Sequence, residues 1–522
     1  MNTITIDIKT RSCASIKTHG IFVYAQNKST QVICVTVKKN SEPPVVWLPP
    51  ELRRPEIVSI SDDRLRQMLE EAELIQAYDI TTEFALWKYT LCRLYPWFPE
   101  VPIKKLSCIA ARAAYLGMGF PLCTLREKLG SSVNDAVSSQ DGAGGIFTNS
   151  MKKISTEGLA LLLRSCLSSV AEEADIAGKL IDLPPMEQKI WRAVLAMNDQ
   201  GILIDRELVL NHLEQTTCED EMLREEFHAI TGIRNPMNGD AVMAYLIQHG
   251  ITLKSLGQMD LVRTIRLLPQ GLLRRIVEIR YKIGQNRPLS CKRLLALLSA
   301  DSRVRGLWEY YGNTAGSCRT RYLPDIEAVS GFAVPADKKL FRICRLPEIQ
   351  NMLSIWTDCP ESYPGLIEGS LKEYCKTAVL KPGITFHYGK LKISSFCHFL
   401  KIVLPSGRDL FLYEPEIDKK RRLFCQVRYN RTAQQMELSG GMICQMIENA
   451  LKRDVAIYYL TGLWKNGFTP VLFDTQEIIA EDPVSSVTDD FFNDFIADQP
   501  EWIKESFRQP VMCLCCQWRK QS

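Results

Sequence analysis

A chain of 522 residues is too long for a single hydrophobic core and calls for about three or four domains of ordinary size. Its 46% hydrophobic and 24% charged residues are those of a globular protein, which excludes a collagen-like or low-complexity chain. The net charge of +4 is small, but it is unevenly spread along the sequence.

The opening residues, Met1 to Thr10, alternate as a strand does, where a secretion signal needs a basic flank and a continuous apolar run. No run of roughly 20 nearly uncharged apolar residues occurs, so no membrane is expected as a partner and the location is expected to be cytoplasmic. Three strand signals come first, Ile4–Ile8, Gly20–Ala25 and Gln31–Val37, and predict an antiparallel meander opening an α/β domain. Helical patterns follow at Asp62–Glu73 and Thr156–Ala177, and the Pro184-Pro185 pair then predicts a domain boundary, giving a first domain of residues 1–183.

Beyond that pair, Ile190, Ala193, Val194 and Met197 recur at helical spacing up to Gly201, and a mostly helical region runs through residues 184–306. Its last part is basic: from Leu261 to Gly306 eleven Lys and Arg face Glu278 and Asp301, so 11 − 2 = +9. A local excess above the whole-chain total points to phosphate binding as readily as to a solvated helix face. Residues 307–379 carry a weak signal between Ser330 and Arg345. Residues 380–522 return to strands at Gly389–Ile393, Phe399–Pro405 and Arg408–Glu414. A long helix then carries Ile443, Ile447, Leu451, Val455 and Tyr458 to Gly467, followed by a strand pair at Pro470–Asp474 and Glu477–Glu481. The 18 cysteines are scattered and are expected to be reduced; Cys513, Cys515 and Cys516 lack a second pair at zinc-site spacing, so no metal site is expected there.

Nine segments carry a resemblance: Ile6–Thr10, Ala77–Phe84, Met197–Asp205, Arg234–Asn238, Ser302–Gly312, Leu404–Pro415, Gly440–Asp454, Val471–Glu481, and Gln499–Ile503 with Gln517–Lys520. In this order they resemble the bacteriophage-type family A DNA polymerases, colinearly except around Ser330 to Arg345, where a large part of the family pattern is missing. The resemblance implies an α+β multidomain fold. Residues 1–183 would be a ribonuclease-H-like 3′-to-5′ exonuclease-like domain and 184–306 a helical thumb. Residues 307–379 would be the palm start with the remnant of largely missing fingers, and 380–522 an antiparallel-sheet palm with helices.

In that family two metal ions are bridged by two palm aspartates. The first lies in Asp-Tyr-Ser-x-Ile-Glu, and the chain has no such run; the second lies in His-Asp-Glu, which here reads Thr475-Gln476-Glu477, leaving Glu477. A neutral Gln476 brings no negative charge to a paired dication site, and Asp474 is either a shifted ligand or a polar strand end. After Tyr322-Leu323-Pro324 the sequence passes almost directly to Leu346–Gly369, without the helix that grips the triphosphate. The family's Thr-Gly-Arg is represented by Ala315-Gly316-Ser317, with Arg319 or Arg321 as a substitute.

By resemblance Arg408, Asn449 and Arg453 face DNA; Asp454 either supports the site or pairs along its helix. The thumb would add Arg263, Arg266, Arg274, Arg275, Arg280, Lys282, Arg287, Lys292 and Arg293. The first exonuclease motif, Asp-x-Glu, reads Asp7-Ile8-Lys9, which puts a cation among the metal ligands. The third, Tyr-x-x-x-Asp, reads Ser165 to Ser169, so Asp7 and Glu83 are vestiges.

The expected function is therefore binding of primer-template or duplex DNA without sequence readout and without catalysis. No cofactor is expected, or magnesium if polymerase or exonuclease activity survives. Two alternatives stay open: a DNA-directed DNA polymerase of replication or repair with an unusual site, and a scaffold for replication proteins or a decaying gene product.

Overall fold

The computed structural model describes residues 2–131, 155–285, 287–316, 319–321, 331–333, 340–344, 364–429, 432–473, 477–481, 499–506 and 514–517. They form two compact units, one of residues 1–202, 305–321 and 335–522, the other of residues 203–304 and 322–334.

The first unit opens with β1 (Thr3–Arg11), β2 (Gln31–Lys39), β3 (Val45–Trp47), β4 (Leu74–Ala77) and β5 (Leu106–Cys108), in the sheet order β3-β2-β1-β4-β5. The pairs β1–β2 and β2–β3 are antiparallel, whereas β1–β4 and β4–β5 are parallel. Ile4, Ile6 and Ile8 on β1 are buried, and so are Thr5 and Asp7 between them, as a strand covered on both faces requires.

The expected strand Gly20–Ala25 is instead the body of a helix, α1 (Ile16–Gln26), which is broken at Gly20 (φ 70°). A short apolar run fits either period, and burial of Ile21, Phe22, Tyr24 and Ala25 decides for the helix. The third strand beside β2 is β3. Helices α2 (Asp62–Glu71), α3 (Ile80–Leu86), α4 (Ile109–Tyr115), α5 (Leu122–Leu129) and α6 (Thr156–Lys179) follow. Ser155 caps α6 by accepting from the Gly158 amide, and Leu159, Leu162, Leu163 and Cys166 then pack on Ile33, Cys34, Val46 and Leu48 of the sheet side.

Pro185 is the first residue of α7 (Pro185–Gln200), a position where its missing N–H is not needed. The proline pair thus starts a helix inside the first unit, and the division falls at 202/203 rather than 183/184. The second unit is helical: α8 (Arg206–Thr231) capped by Asp205, α9 (Gly239–Gln248) capped by Asn238, α10 (Gln258–Leu267), α11 (Leu272–Gly284) and α12 (Arg287–Ala296). Phe227, Val242, Leu246, Ile276, Val277 and Ile279 make its core.

The carboxy-terminal part of the first unit adds β6 (Leu340–Cys344) and α13 (Pro364–Leu380). A six-stranded antiparallel meander follows: β7 (Thr385–Tyr388), β8 (Leu391–Phe396), β9 (Phe399–Val403), β10 (Asp409–Ile417), β11 (Leu423–Tyr429) and β12 (Thr432–Glu437). Then come α14 (Gly440–Lys465), β13 (Thr469–Phe473), β14 (Glu477–Glu481), α15 (Glu501–Ser506) and β15 (Leu514–Gln517). The second sheet has the order β13-β14-β6-β15, so β6, from the weak-signal region, is central in it. No helix among the described residues is long and apolar enough to cross a membrane.

Candidate nucleic-acid interface

Asp7 stands on β1 with only 4% of its surface exposed, and Lys9, two residues on, shares its face of the strand. The Lys9 ammonium lies 3.0 Å from Asp7 Oδ1, while Oδ2 is buried without a hydrogen bond. Attraction to Asp7 raises the Lys9 pKa and keeps the side chain charged, although about a third of it (36%) is open to solvent. Two more acids face this pair. Glu83 on α3 is held well above the usual carboxylate range, first by burial and then by Asp7 and Glu173. Glu173 on α6 accepts from the Tyr78 amide (2.9 Å) but is pushed up to about 8 by burial and by Asp7.

Among the described residues no group of three or more His, Cys, Asp or Glu is arranged to hold a metal ion. The Lys9 ammonium puts a positive charge against Asp7 Oδ1, where a divalent cation would need an anionic ligand, while Asp7 Oδ2, Glu83 and Glu173 remain as acids in the same buried space. Nearby Asp79 is bound in fork geometry by Arg321 (2.9 and 3.1 Å), which outweighs burial and keeps its carboxyl low.

Elsewhere in the first unit, Arg453 of α14 is 1% exposed and grips Glu187 of α7 with both terminal nitrogens (2.7 and 2.6 Å). Tyr310 donates to the same carboxylate (2.5 Å), and Arg453 Nε donates to the Gly316 carbonyl (3.1 Å). Beside it Arg408, 9% exposed, donates to Asp454 (2.6 Å), Tyr311 (3.0 Å) and the Ala450 carbonyl (2.9 Å). Burial favours a neutral Glu187, yet Arg453 holds its carboxyl below the usual range.

Against this network lies a groove of about 280 Å³, lined among others by Asn313, Thr314, Arg428, Gln445 and Asn449. Arg428 already donates to the Tyr311 carbonyl (2.8 Å) and to Glu309 (3.0 Å), so the amides of Asn313, Gln445 and Asn449 supply much of the groove's polar chemistry.

In the second unit Arg263, Arg266, Lys282, Lys292 and Arg293 are exposed. Arg274 pairs with Glu278, Arg275 with Glu226 and Arg287 with Glu219, each at 2.7 to 2.8 Å. Arg280 is buried in the unit.

No profile of a known protein family matches the chain. Over 155 residues it is 28% identical to a DNA polymerase of Bacillus phage SP02, a stretch that is 28% of this chain and 23% of that polymerase. Its fold matches, over 98% of this chain and 94% of the other, the POL domain of Pol1 from M. smegmatis, solved in complex with DNA primer-template and dNTP. The TM-score is 0.58 at 9% identity. The fold resembles a DNA polymerase domain.

Within this polymerase-like fold, Asp7 and Glu83 do come together, as the sequence motifs imply. Arg408 and Arg453, expected to face DNA, are instead enclosed and paired with carboxylates, which leaves Asn449 as the residue of that trio that lines the open groove. Arg321, a substitute for the family arginine in the sequence reading, is held by Asp79. Asp454 bridges Arg408 and Arg453 (2.6 and 3.3 Å) instead of pairing one helical turn away. Of the nine thumb cations, Arg280 is withdrawn by burial and Arg274, Arg275 and Arg287 by ion pairs. Glu477 begins β14 opposite Cys344 of β6; Asp474, Thr475 and Gln476 lie outside the described residues, as do Tyr322 to Ser330 and Cys513.

The motif comparison missed Glu173. It follows Ser169 by four residues and so returns to the same helix face one turn on, a signal available from spacing alone. Glu187 and Tyr310 carry no comparable signal, because their partner is distant in sequence.

Two outcomes follow from this geometry. Arg453→Met leaves Glu187 buried without its counter-ion and is expected to cost about 3–5 kcal/mol in denaturant unfolding, with Glu187→Gln/Arg453→Met recovering part of the loss. A single-variant cost below about 1 kcal/mol would show that the pair is not the fixed point described here. In the cleft, the native state holds protons on Glu83 and Glu173 that the unfolded chain gives up near its ordinary carboxylate value. Stability is present at low pH and is lost as pH rises through the window from 4.5 to about 8, by up to about 1.4 kcal/mol per pH unit for each proton. Glu173→Gln should flatten that slope; equal unfolding free energies at about pH 5 and about pH 8 in the parent chain would contradict it.

Proposed function

We propose that the chain holds primer-template or duplex DNA on a polymerase-like body and neither extends nor excises it. The observation that carries this reading is the Lys9 ammonium 3.0 Å from Asp7: read as the exonuclease-like site that the sequence resembles, it has a tethered cation among the acids that would bind metal. One charge at contact distance repels an incoming dication and removes a ligand at the same time.

Sequence at the second sheet supports the same conclusion for polymerisation. Strand β6 runs into Arg345-Leu346-Pro347-Glu348-Ile349-Gln350, which lies outside the described residues. From Leu346 this run resembles the family segment beyond the fingers, and no Asp-Tyr-Ser-x-Ile-Glu run occurs in the chain. With Gln476 at the other aspartate position, neither bridging carboxylate is present. The similarity to the phage SP02 polymerase favours a second reading, retained polymerase activity through other ligands.

Binding would rest on Arg263, Arg266, Lys282, Lys292 and Arg293, exposed cations outside the ion pairs described above. If all five reach phosphates, log affinity for primer-template DNA should fall with log salt at a slope of about −4.5, with little change when the sequence is scrambled. Reversing Arg263, Arg266 and Lys282 to Glu should flatten the slope by about 3, whereas reversing Lys17 and Lys28 in the exonuclease-like part should leave it unchanged. Fluorescence anisotropy over a salt series reads both; no affinity at low salt, or a slope near zero, contradicts the proposal.

A further inference from the structure

Strand β7 is an end strand of the six-stranded meander: it pairs with β8 on one side, Phe386 opposite Ile393 and His387 opposite Lys392, and with no strand on the other among the described residues. Its outer backbone groups form a row available to another strand. Beside this edge runs α13, whose Ile367, Leu371, Cys375 and Ala378 are buried. Between the flank of α13 and β7 lies a groove of about 480 Å³, lined among others by Gly365, Leu366, Gly369, Tyr374 and Phe386.

The groove is open and mostly apolar; its one acid, Glu373, is paired with Lys376 at 2.7 Å. Leu366 is 58% exposed, and Tyr374 stacks on Tyr388 of β7 with ring centroids 5.0 Å apart. A Cβ at Gly369 would meet nothing within 4 Å. Glycine inside a helix costs roughly 1 kcal/mol relative to alanine, and no close contact recorded at this position offsets that cost.

The pleat fixes what a partner must look like. Phe386 and Tyr388 point to the α13 side, so Thr385 and His387 point to the opposite face, next to Ser394 and Lys392 of β8. That face carries Lys392, and Lys381 is exposed at the entrance to β7; neither β7 nor β8 contains an acid. A strand added to the edge places alternate residues in the apolar groove and beside these cations. A second copy of this chain is a poor occupant, because pairing β7 with itself sets His387 and Lys392 near their own counterparts.

We propose that the groove between α13 and the outer edge of β7, which no strand pairs among the described residues, takes an extended segment of another protein. That segment adds to the meander as a seventh strand, with apolar side chains against Tyr374 and Phe386 alternating with carboxylates beside His387 and Lys392.

The test uses the full chain and three fluorescein-labelled peptides of about nine residues: alternating Glu and Val, alternating Lys and Val, and the first with its central valines replaced by proline. Anisotropy should show the Glu peptide binding at least about tenfold more tightly than the other two. Gly369→Leu sends a side chain into the groove from a position where a Cβ meets nothing within 4 Å, so it should weaken the Glu peptide by about tenfold while thermal unfolding stays the same or rises. Lys392→Glu should shift preference towards the Lys peptide. Equal binding of the Glu and Lys peptides, no binding of any peptide, indifference to Gly369→Leu, or dimerisation of the chain through this edge would each overturn the proposal.

Discussion

The buried pair of Arg453 and Glu187 fixes the geometry of the carboxy-terminal part of the first unit. Taking two charges out of water costs several kcal/mol for each ion, and the cost is met only when every donor and lone pair finds a partner. Here the fork-to-carboxylate contact, the Tyr310 hydroxyl and the Gly316 carbonyl do so together, which sets the position of α14 against α7 and of the 310–316 turn between them. Gly316 has φ +85°, and a Cβ there would stand 2.8 Å from the Tyr311 ring, so the turn accepts glycine alone. The same closure turns Arg408 inward onto Asp454. Two arginines that sequence comparison assigns to DNA thus hold the platform together, and the neighbouring groove faces outward with amides.

Charge balance also explains the buried acids around β1. Three acids, Asp7, Glu83 and Glu173, share a largely buried space with one ammonium. A single positive charge stabilises a single carboxylate; the other two groups lower their energy by keeping protons, which is why both titrate high. Lys9 supplies an internal counter-ion to this group of acids.

Much of the architecture was legible in the sequence because its signals were long or regular. Alternation marked β1 and β2, period 3.6 marked α6 and α14, and turn residues marked β8 to β10. Gly20–Ala25 misled because a short apolar run satisfies strand and helix equally, and only packing, with Phe22 against Phe84 and Tyr89, distinguishes them. The boundary at Pro184-Pro185 misled because proline at the first helical turn starts a helix as well as ending one. At the site, motif reading found Asp7, Lys9 and Glu83, whose roles are set by local spacing. It assigned Arg408 and Arg453 to the surface because the pairing with Glu187, 266 residues away, has no local signature. Likewise a count of eleven cations overstated the free charge, since Glu219 and Glu226, which neutralise Arg287 and Arg275, lie outside the counted window.

The proposal that DNA is held without being processed is tested most directly on one labelled substrate. A primed template carrying a fluorophore at the primer's 5′ end is incubated with the full chain at low salt, with magnesium or manganese and all four deoxynucleotides, and the same mixture is read for binding and for primer length. The account predicts a bound primer of unchanged length at every time point. A primer that grows along the template or shortens from its 3′ end, in a preparation where a mock purification gives neither, contradicts it.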